Sequence, residues 1–381
     1  MIPYGRQDVT DEDIRAVVEV LRSDYLTQGP VVPAFENAVA SYCQAKFSVA
    51  ANSATSALHI ACLALGVGAN DLVWTTPITF VASANCALYC GAKIDFVDID
   101  PRTYTMSVDR LAEKLAKAEK LNTLPKVVIP VHLAGQSCDM EKIYALSLRY
   151  GFRIIEDASH AIGGLYKNEP IGNCKYSDIT VLSFHPVKII TTGEGGMALT
   201  NNASLASRMA LFRSHGITRD PDLMTHPPDG AWYYQQIALG FNYRMTDIQA
   251  ALGLSQLARL DEYVKKRVKL VEGYQQHLSG QSILLPWQHP DCYSAYHLYI
   301  VLVQDKRDQV FESMRKMGVG VNLHYIPVHT QPYFLAMGFR EGDFPESEAY
   351  YSKAISLPMY PTLSEVQQGH VIDSLIKALQ E

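Results

Sequence analysis

Residues Asp178–Asn201 read DITVLSFHPVKIITTGEGGMALTN. The run opens on an apolar, β-favouring segment (DITVLSF) and closes on another (GMALTN). Between them stand one lysine, Lys188, and three glycines, Gly193, Gly195 and Gly196, which let the backbone turn tightly. A lysine in such apolar company either snorkels to water or does chemistry. In the second case, residues at the ends of neighbouring strands must supply the rest of the site.

Outward from this stretch, strand-like and helix-like segments alternate through the first two-thirds of the chain. KFSVAA (46–51) precedes the helical SATSALHIACLAL (53–65). DLVWTT, FVASANCALYCG and KIDFVDI repeat the order, and KVVIPVHL, DMEKIYALSLRYG and RIIEDAS repeat it again. This alternation predicts an α/β fold with a mostly parallel central sheet covered on both faces. Ligands of such sheets bind beyond the carboxyl ends of the strands. Thr76, His132, Asp157 and the Ser183–Lys188 segment therefore share one rim. MTDIQAALGLSQLARLDEYVKKRVKLVEGYQQHLSG (245–280) predicts one long helix leading to a smaller C-terminal α+β domain. There YHLYIVLV and VGVNLHYIPV read as strands, and QVFESMRKMG and GHVIDSLIKALQ as helices. The expected domains are 1–255 (large, α/β, with the N-terminal segment) and 256–381 (small).

A chain of 381 residues, 48% hydrophobic and 19% charged, can bury a large core. A net charge of -6 with no basic block argues against nucleic-acid binding. The opening MIPYGRQDVTDEDI lacks the basic and apolar regions of a signal peptide, and no apolar run reaches membrane-spanning length. Seven cysteines without a CxxC pair point to a reduced, cytoplasmic protein with no structural metal.

Asp157 ends the apolar strand RIIED, where an unpaired carboxylate is costly. It can cap the next segment, or pair with Lys188 as a plain ion bridge. The two can also hold one cofactor, with Lys188 as a Schiff base to an aldehyde and Asp157 bonded to a protonated pyridine nitrogen. That is the arrangement for pyridoxal 5'-phosphate (PLP). Its phosphate needs a helix N-terminus and donors, which Ser53, Thr55 and Ser56 in ANSATSALHI and the hydroxyl of Ser183 can supply. Plain N-capping explains the same serines. Phe80 in TTPITFVASAN can cover the ring, although for one phenylalanine taken alone core packing is the stronger reading. No GxGxxG follows a strand, and no P-loop, metal-ligand spacing or nucleophile elbow occurs.

SFHPVKIITTGEGG, EDASHAIGG, NSATSALH, PITFVASAN, LFRSHGI and GFNYRMTDIQAALGLSQL stand in an order that resembles the DegT/DnrJ/EryC1/StrS sugar aminotransferases, PLP enzymes of fold type I (aspartate aminotransferase-like). The resemblance covers essentially the whole chain. It implies that Lys188 carries the cofactor and shuttles a proton, and that Asp157 binds the pyridine nitrogen. His160 would lie near the ring hydroxyl or support Asp157. Phe80 would stack on the ring, and Ala54, Thr55 and Ser183 would hold the phosphate. Asn242 would reach a phosphate in the neighbouring subunit, implying a homodimer with shared active sites. Substrate contacts would come from Tyr4, Asp24, Tyr25, Leu26, Thr27, Tyr325 and His329. Family members with histidine at the lysine position are dehydratases; Lys188 is present, so amination is implied. DYLTQGP, SFHPVKIITT and LFRSHGIT are similar to members that move an amino group from L-glutamate to the C4 ketone of a UDP-linked 4-keto-6-deoxy-N-acetylhexosamine, in pseudaminic acid biosynthesis. The alternatives are a different nucleotide ketosugar, or a non-catalytic regulatory or ligand-binding member of the fold.

Overall fold

In a computed structural model covering residues 1–381, the alternating apolar runs become a seven-stranded sheet. Its strands are β1 (Phe47–Ala51), β2 (Leu72–Thr75), β3 (Lys93–Phe96), β4 (Val127–Val128), β5 (Arg153–Asp157), β6 (Ile179–Ser183) and β7 (Gly196–Thr200). The spatial order is β1-β7-β6-β5-β4-β2-β3. Every neighbouring pair from β6 through to β3 is parallel, while β7 runs against both β6 and β1. The reversal follows from chain length. A parallel return needs a crossover, usually a helix, and the Lys188 segment between β6 and β7 contains none. The segment instead folds back at the strand end and sets Ser183 opposite Gly196.

Side chains alternate across each strand, so adjacent residues feed different cores. On one face, Ile155 and Val181 pack with α3 (Ala54–Ala64), α4 (Ala82–Tyr89) and α7 (Ala203–Arg213). Ile154 points the other way, toward α5 (Val108–Leu121) and α6 (Met140–Tyr150). Leu182 and Met197, also on that second side, meet α2 (Val31–Cys43). Burial on both faces explains why these strands read as continuous apolar runs. α1 (Asp11–Leu21) precedes this unit and packs on α8 (Asp247–Leu257).

The segment expected as one long helix is two. α8 stops at Leu257 and α9 (Leu260–Leu278) begins after Arg259, whose backbone sits at φ -107, ψ 4. The physical reason lies at the other end of the sequence. Arg259 donates to the fully buried carboxylate of Asp13 at 2.6 Å and to Tyr263 Oη at 3.0 Å, while Ser255 and Gln256 also donate to Asp13. The chain turns to make this anchor. Beyond it, Leu270, Val271, Tyr274 and Leu278 of α9 enter a separate core. That core also takes residues of an antiparallel sheet, β8 (Ile283–Leu284), β9 (Tyr299–Val303) and β10 (Ala354–Leu357), and of helices α10 (Arg307–Lys316) and α11 (Glu365–Gln380).

VGVNLHYIPV does not form the expected strand. It makes only single bridges, Val319 to Ile2 and Asn322 to Ser356. Its N-terminal part is held by the first residues of the chain, since Ile2 exchanges hydrogen bonds with Gly318 and Gly320, at 2.8 and 2.7 Å. No helix is long and apolar enough to cross a membrane.

Candidate active site

The site begins where α3 leaves β1. Ser53 is extended and caps the helix, its Oγ accepting from Ser56 N at 3.1 Å. That leaves the amides of Ala54 and Thr55, at the positive end of the helix, for an outside acceptor. β7 lies directly against this turn: a Cβ on Gly196 would sit 2.5 Å from Ala54 N and Cα. Because Gly196 pairs with Ser183, the glycine brings Ala54, Thr55 and the Ser183 hydroxyl to one place. This is a donor set for a phosphate.

Asp157 ends β5 and is only 5% exposed. Its Oδ2 accepts from Ser83 Oγ at 2.6 Å and its Oδ1 from Ser159 N at 3.1 Å. Neither Asp157 nor Lys188 takes part in an ion pair within 4.0 Å, so the plain ion bridge is not formed. A buried carboxylate with two donors and no cation suits a protonated ring nitrogen. Behind it, the neighbouring Glu156 points to the opposite face. Glu156 Oε2 meets His132 Nε2 at 2.8 Å, and Thr180 donates to its Oε1 at 3.1 Å. Cys138 N–H is aimed at His132 Nδ1, so the imidazole proton sits on Nε2 and is donated to Glu156.

Lys188 is half-buried, in the loop after β6. Burial pushes its amine down to about 8 from the usual 10.5, an effect partly offset by the negative charge of Asp157. Its polar contact is His297 Nε2, at 3.5 Å. His160 accepts from Ala134 N–H at its Nδ1 (3.2 Å), while its Nε2 lies 3.1 Å from Tyr325 Oη. Burial, reinforced by the Lys188 charge, holds this imidazole well below the usual histidine range. The neutral ring therefore carries its proton on Nε2 and donates it to Tyr325. His160 braces Tyr325 and makes no hydrogen bond to Asp157. Phe80 is 59% exposed with its ring 6.2 Å from that of Tyr325. An aromatic face left open at a strand end is available to cover a flat ligand. Tyr4 stands over His324, 5.3 Å between centroids.

Other expected residues lie elsewhere. Asp24, Tyr25, Leu26 and Thr27 form an exposed run fixed to the start of α8, with Thr27 bridged to Thr246 and Asp247 N donating to Leu26 O at 3.0 Å. Asn242 is exposed, and its carbonyl accepts from Asn52 Nδ2 at 3.4 Å. His329 is a correction. It is fully buried, pairs with Glu348 at 2.9 Å and packs edge-on against Phe344, so it has no surface to offer a substrate. Sequence reasoning missed Ser83, Ser159 and His297. Ser83 lay inside a quoted motif, in the first turn of α4; His297 had only the signal of a polar residue just ahead of the apolar strand β9.

A partly neutral lysine, a buried carboxylate without a cation and an open helix start, on a sheet of this strand order, define a PLP enzyme of fold type I. The chain belongs to the DegT/DnrJ/EryC1/StrS aminotransferase family, whose model matches residues 7–376. It is 38% identical to the spore coat polysaccharide biosynthesis protein SpsC of Bacillus subtilis, over 98% of this chain and 96% of that one. It is 34% identical to the UDP-4-amino-4,6-dideoxy-N-acetyl-beta-L-altrosamine transaminase of Campylobacter jejuni, over 100% and 98%. The PLP form of Spr1654 from Streptococcus pneumoniae superposes with a TM-score of 0.90 at 29% identity, covering 100% of this chain and 98% of that one. The protein is a sugar aminotransferase, and PLP is its cofactor.

Proposed function

We propose that the protein moves an amino group from L-glutamate to the C4 ketone of a UDP-linked 4-keto-6-deoxy-N-acetylhexosamine, the pseudaminic acid precursor. The observation that carries the catalytic part is the Lys188 amine, held near 8 within reach of the charge of a buried Asp157 that no side chain neutralises. The substrate part is supported by the Campylobacter jejuni relative. PLP bound here supplies an aldehyde for amine condensation and a ring that accepts electrons. Asp157 keeps a negative charge at the ring nitrogen, and Ser83 and Ser159 fix the direction of that carboxylate. Ala54, Thr55 and Ser183 hold the phosphate, and Phe80 covers the ring. The Lys188 amine, when free, would take the proton from the donor's α-carbon and deliver it two bonds away, to the carbon that carried the aldehyde; on the sugar it would work in reverse.

In this reading residues 1–255 form the cofactor domain and 256–381 the smaller one. Tyr4, Tyr325 and the Asp24–Thr27 run contact the sugar nucleotide. The enzyme is a cytoplasmic homodimer in which Asn242 reaches the partner's phosphate. A second reading, a different nucleotide ketosugar, is favoured by the 38% identity to SpsC.

The test is product identification by NMR after incubation with L-glutamate and a panel of UDP- and dTDP-linked ketosugars. Amination at C4 of the UDP-4-keto-6-deoxy-N-acetylhexosamine is expected. Preference for another ketosugar establishes the second reading. No amination of any of them, by PLP-loaded protein, overturns both substrate readings.

A further inference from the structure

Lys188 is ringed by imidazoles. His297 is nearest, and the rings of His160 and His297 lie 4.4 Å apart, 52° from parallel. His324 also lies within reach of the lysine, and its charged form and those of His160 and His297 all oppose the charge on Lys188. The other titratable groups facing this cluster are Asp157 from β5, Arg267 from α9 and His185 from the Lys188 loop itself. The phenols are Tyr325, bonded to His160, and Tyr4, whose ring lies 5.3 Å from that of His324.

The placement of His297 is over-determined. Gly135, at φ +106, lies so close that a Cβ there would come within 2.8 Å of Tyr296 N and 3.1 Å of His297 N. Ala295 N and Leu298 N donate to Gly135 O and Ala134 O, at 3.2 and 3.3 Å. The same short segment fixes His160 through Ala134 N. From the other side, the fully buried Arg267 donates through one nitrogen to the carbonyls of Tyr296, His297 and Met359, at 3.2, 3.2 and 3.0 Å. His297 Nδ1 has no partner at all. A buried polar ring held this firmly, with one nitrogen at Lys188 and the other unsatisfied, has not been placed for its own stability.

We propose that His297 is a positioning residue for Lys188, a neutral hydrogen-bond acceptor that steadies the ammonium without locking its charge. The inference rests on Lys188 being the PLP-bearing lysine. Two cations cannot share a 3.5 Å contact in this setting, so the pair carries at most one positive charge. When the Lys188 amine takes up a proton during turnover, His297 Nε2 accepts from it and keeps Nζ aimed at the site. A carboxylate in the same place would raise the amine's affinity for protons and reduce the neutral fraction that condensation requires.

The experiment measures the rate at which full-length apoenzyme takes up PLP, as a function of pH, followed by borohydride reduction and peptide mapping. The titrations of PLP itself are common to every variant and cancel in comparison. For His297→Leu the midpoint is expected to fall by about one pH unit, since the ammonium loses a charge-assisted hydrogen bond. His297→Gln restores an acceptor and keeps the parent midpoint. His297→Glu moves it upward. Identical midpoints in the parent, Leu and Glu proteins, with PLP still fixed on Lys188, overturn the role of His297 and leave the lysine assignment standing. PLP fixed elsewhere in the parent protein, or nowhere, removes both.

Discussion

At the scale of single residues, the lysine decides. With its amine at about 8, roughly a tenth of it is neutral at pH 7, against about 0.03% for an unperturbed side chain. Lys188→Ala should lose both anchor and proton carrier, with a fall of at least ~10^3-fold in turnover and PLP lost on gel filtration. Asp157→Asn should keep the lysine bond but weaken cofactor retention and slow proton removal by ~10^2-fold, as the ring nitrogen loses its counter-charge. Ser83→Ala removes one of two donors to that carboxylate, about 1–2 kcal/mol, and should weaken PLP binding by only ~10-fold. The order of the three effects is the check: a Ser83→Ala defect equal to that of Asp157→Asn would mean that Ser83 does not act through the carboxylate. Asp157 and Lys188 were legible because charge at the end of an apolar run demands a reason. Ser83 and His297 were not, since their roles exist only once α4 and β9 are folded against β5 and the Lys188 loop. His329 was misread for a related reason: a histidine four residues past Tyr325 can face the site or the core, and spacing in a loop with no ladder does not say which.

At the scale of elements, the junction of α3 with β7 sets the phosphate end. Gly196 is needed for room, not for an unusual backbone angle, because the obstacle is backbone: Ala54 N and Cα at 2.5 Å from a would-be Cβ. Gly196→Ala must push the start of α3 off the sheet. We expect a loss of about 1–3 kcal/mol in stability, typical of overpacking, together with a larger loss of affinity for PLP than for pyridoxal without its phosphate. Urea unfolding and titration with the two ligands measure these separately. Equal losses for both ligands would mean that the helix start is not the phosphate site. The alternation of strands and helices was readable here from hydrophobic runs alone. The reversed direction of β7 was not, because GMALTN looks the same in either direction. Nor was the break between α8 and α9: apolar spacing runs straight through Ala258 and Arg259, and only the distant Asp13, brought in by α1, makes a turn there favourable.

At the scale of the whole molecule, one chain leaves apolar surface that nothing in it covers. Trp232 is 75% exposed and Leu239 79%, in the loop that leads to the exposed Asn242. Apolar patches of this kind mark surfaces that meet a partner. If the partner is a second copy and Asn242 serves the phosphate across the interface, the two halves of a site come from different chains. Mixed subunits make that testable. Take Lys188→Ala and Asn242→Ala, each inactive or nearly so as a pure dimer, and let them exchange. In a heterodimer, the site built on the Asn242→Ala chain keeps its own Lys188 and receives an intact Asn242 from its partner, so it is whole. Statistical mixing makes half the dimers hybrid with one whole site each, so about a quarter of parental activity should return. Had Asn242 acted within its own chain, the Lys188 of one subunit and the Asn242 of the other could never complement. Activity after exchange would then stay at the average of the two pure variants. The same mixing with Trp232→Lys and Leu239→Lys introduced into both chains should abolish recovery, because no hybrid can form once that surface is charged. Sedimentation of those variants as folded monomers would locate the loss at the interface and not in the catalytic residues.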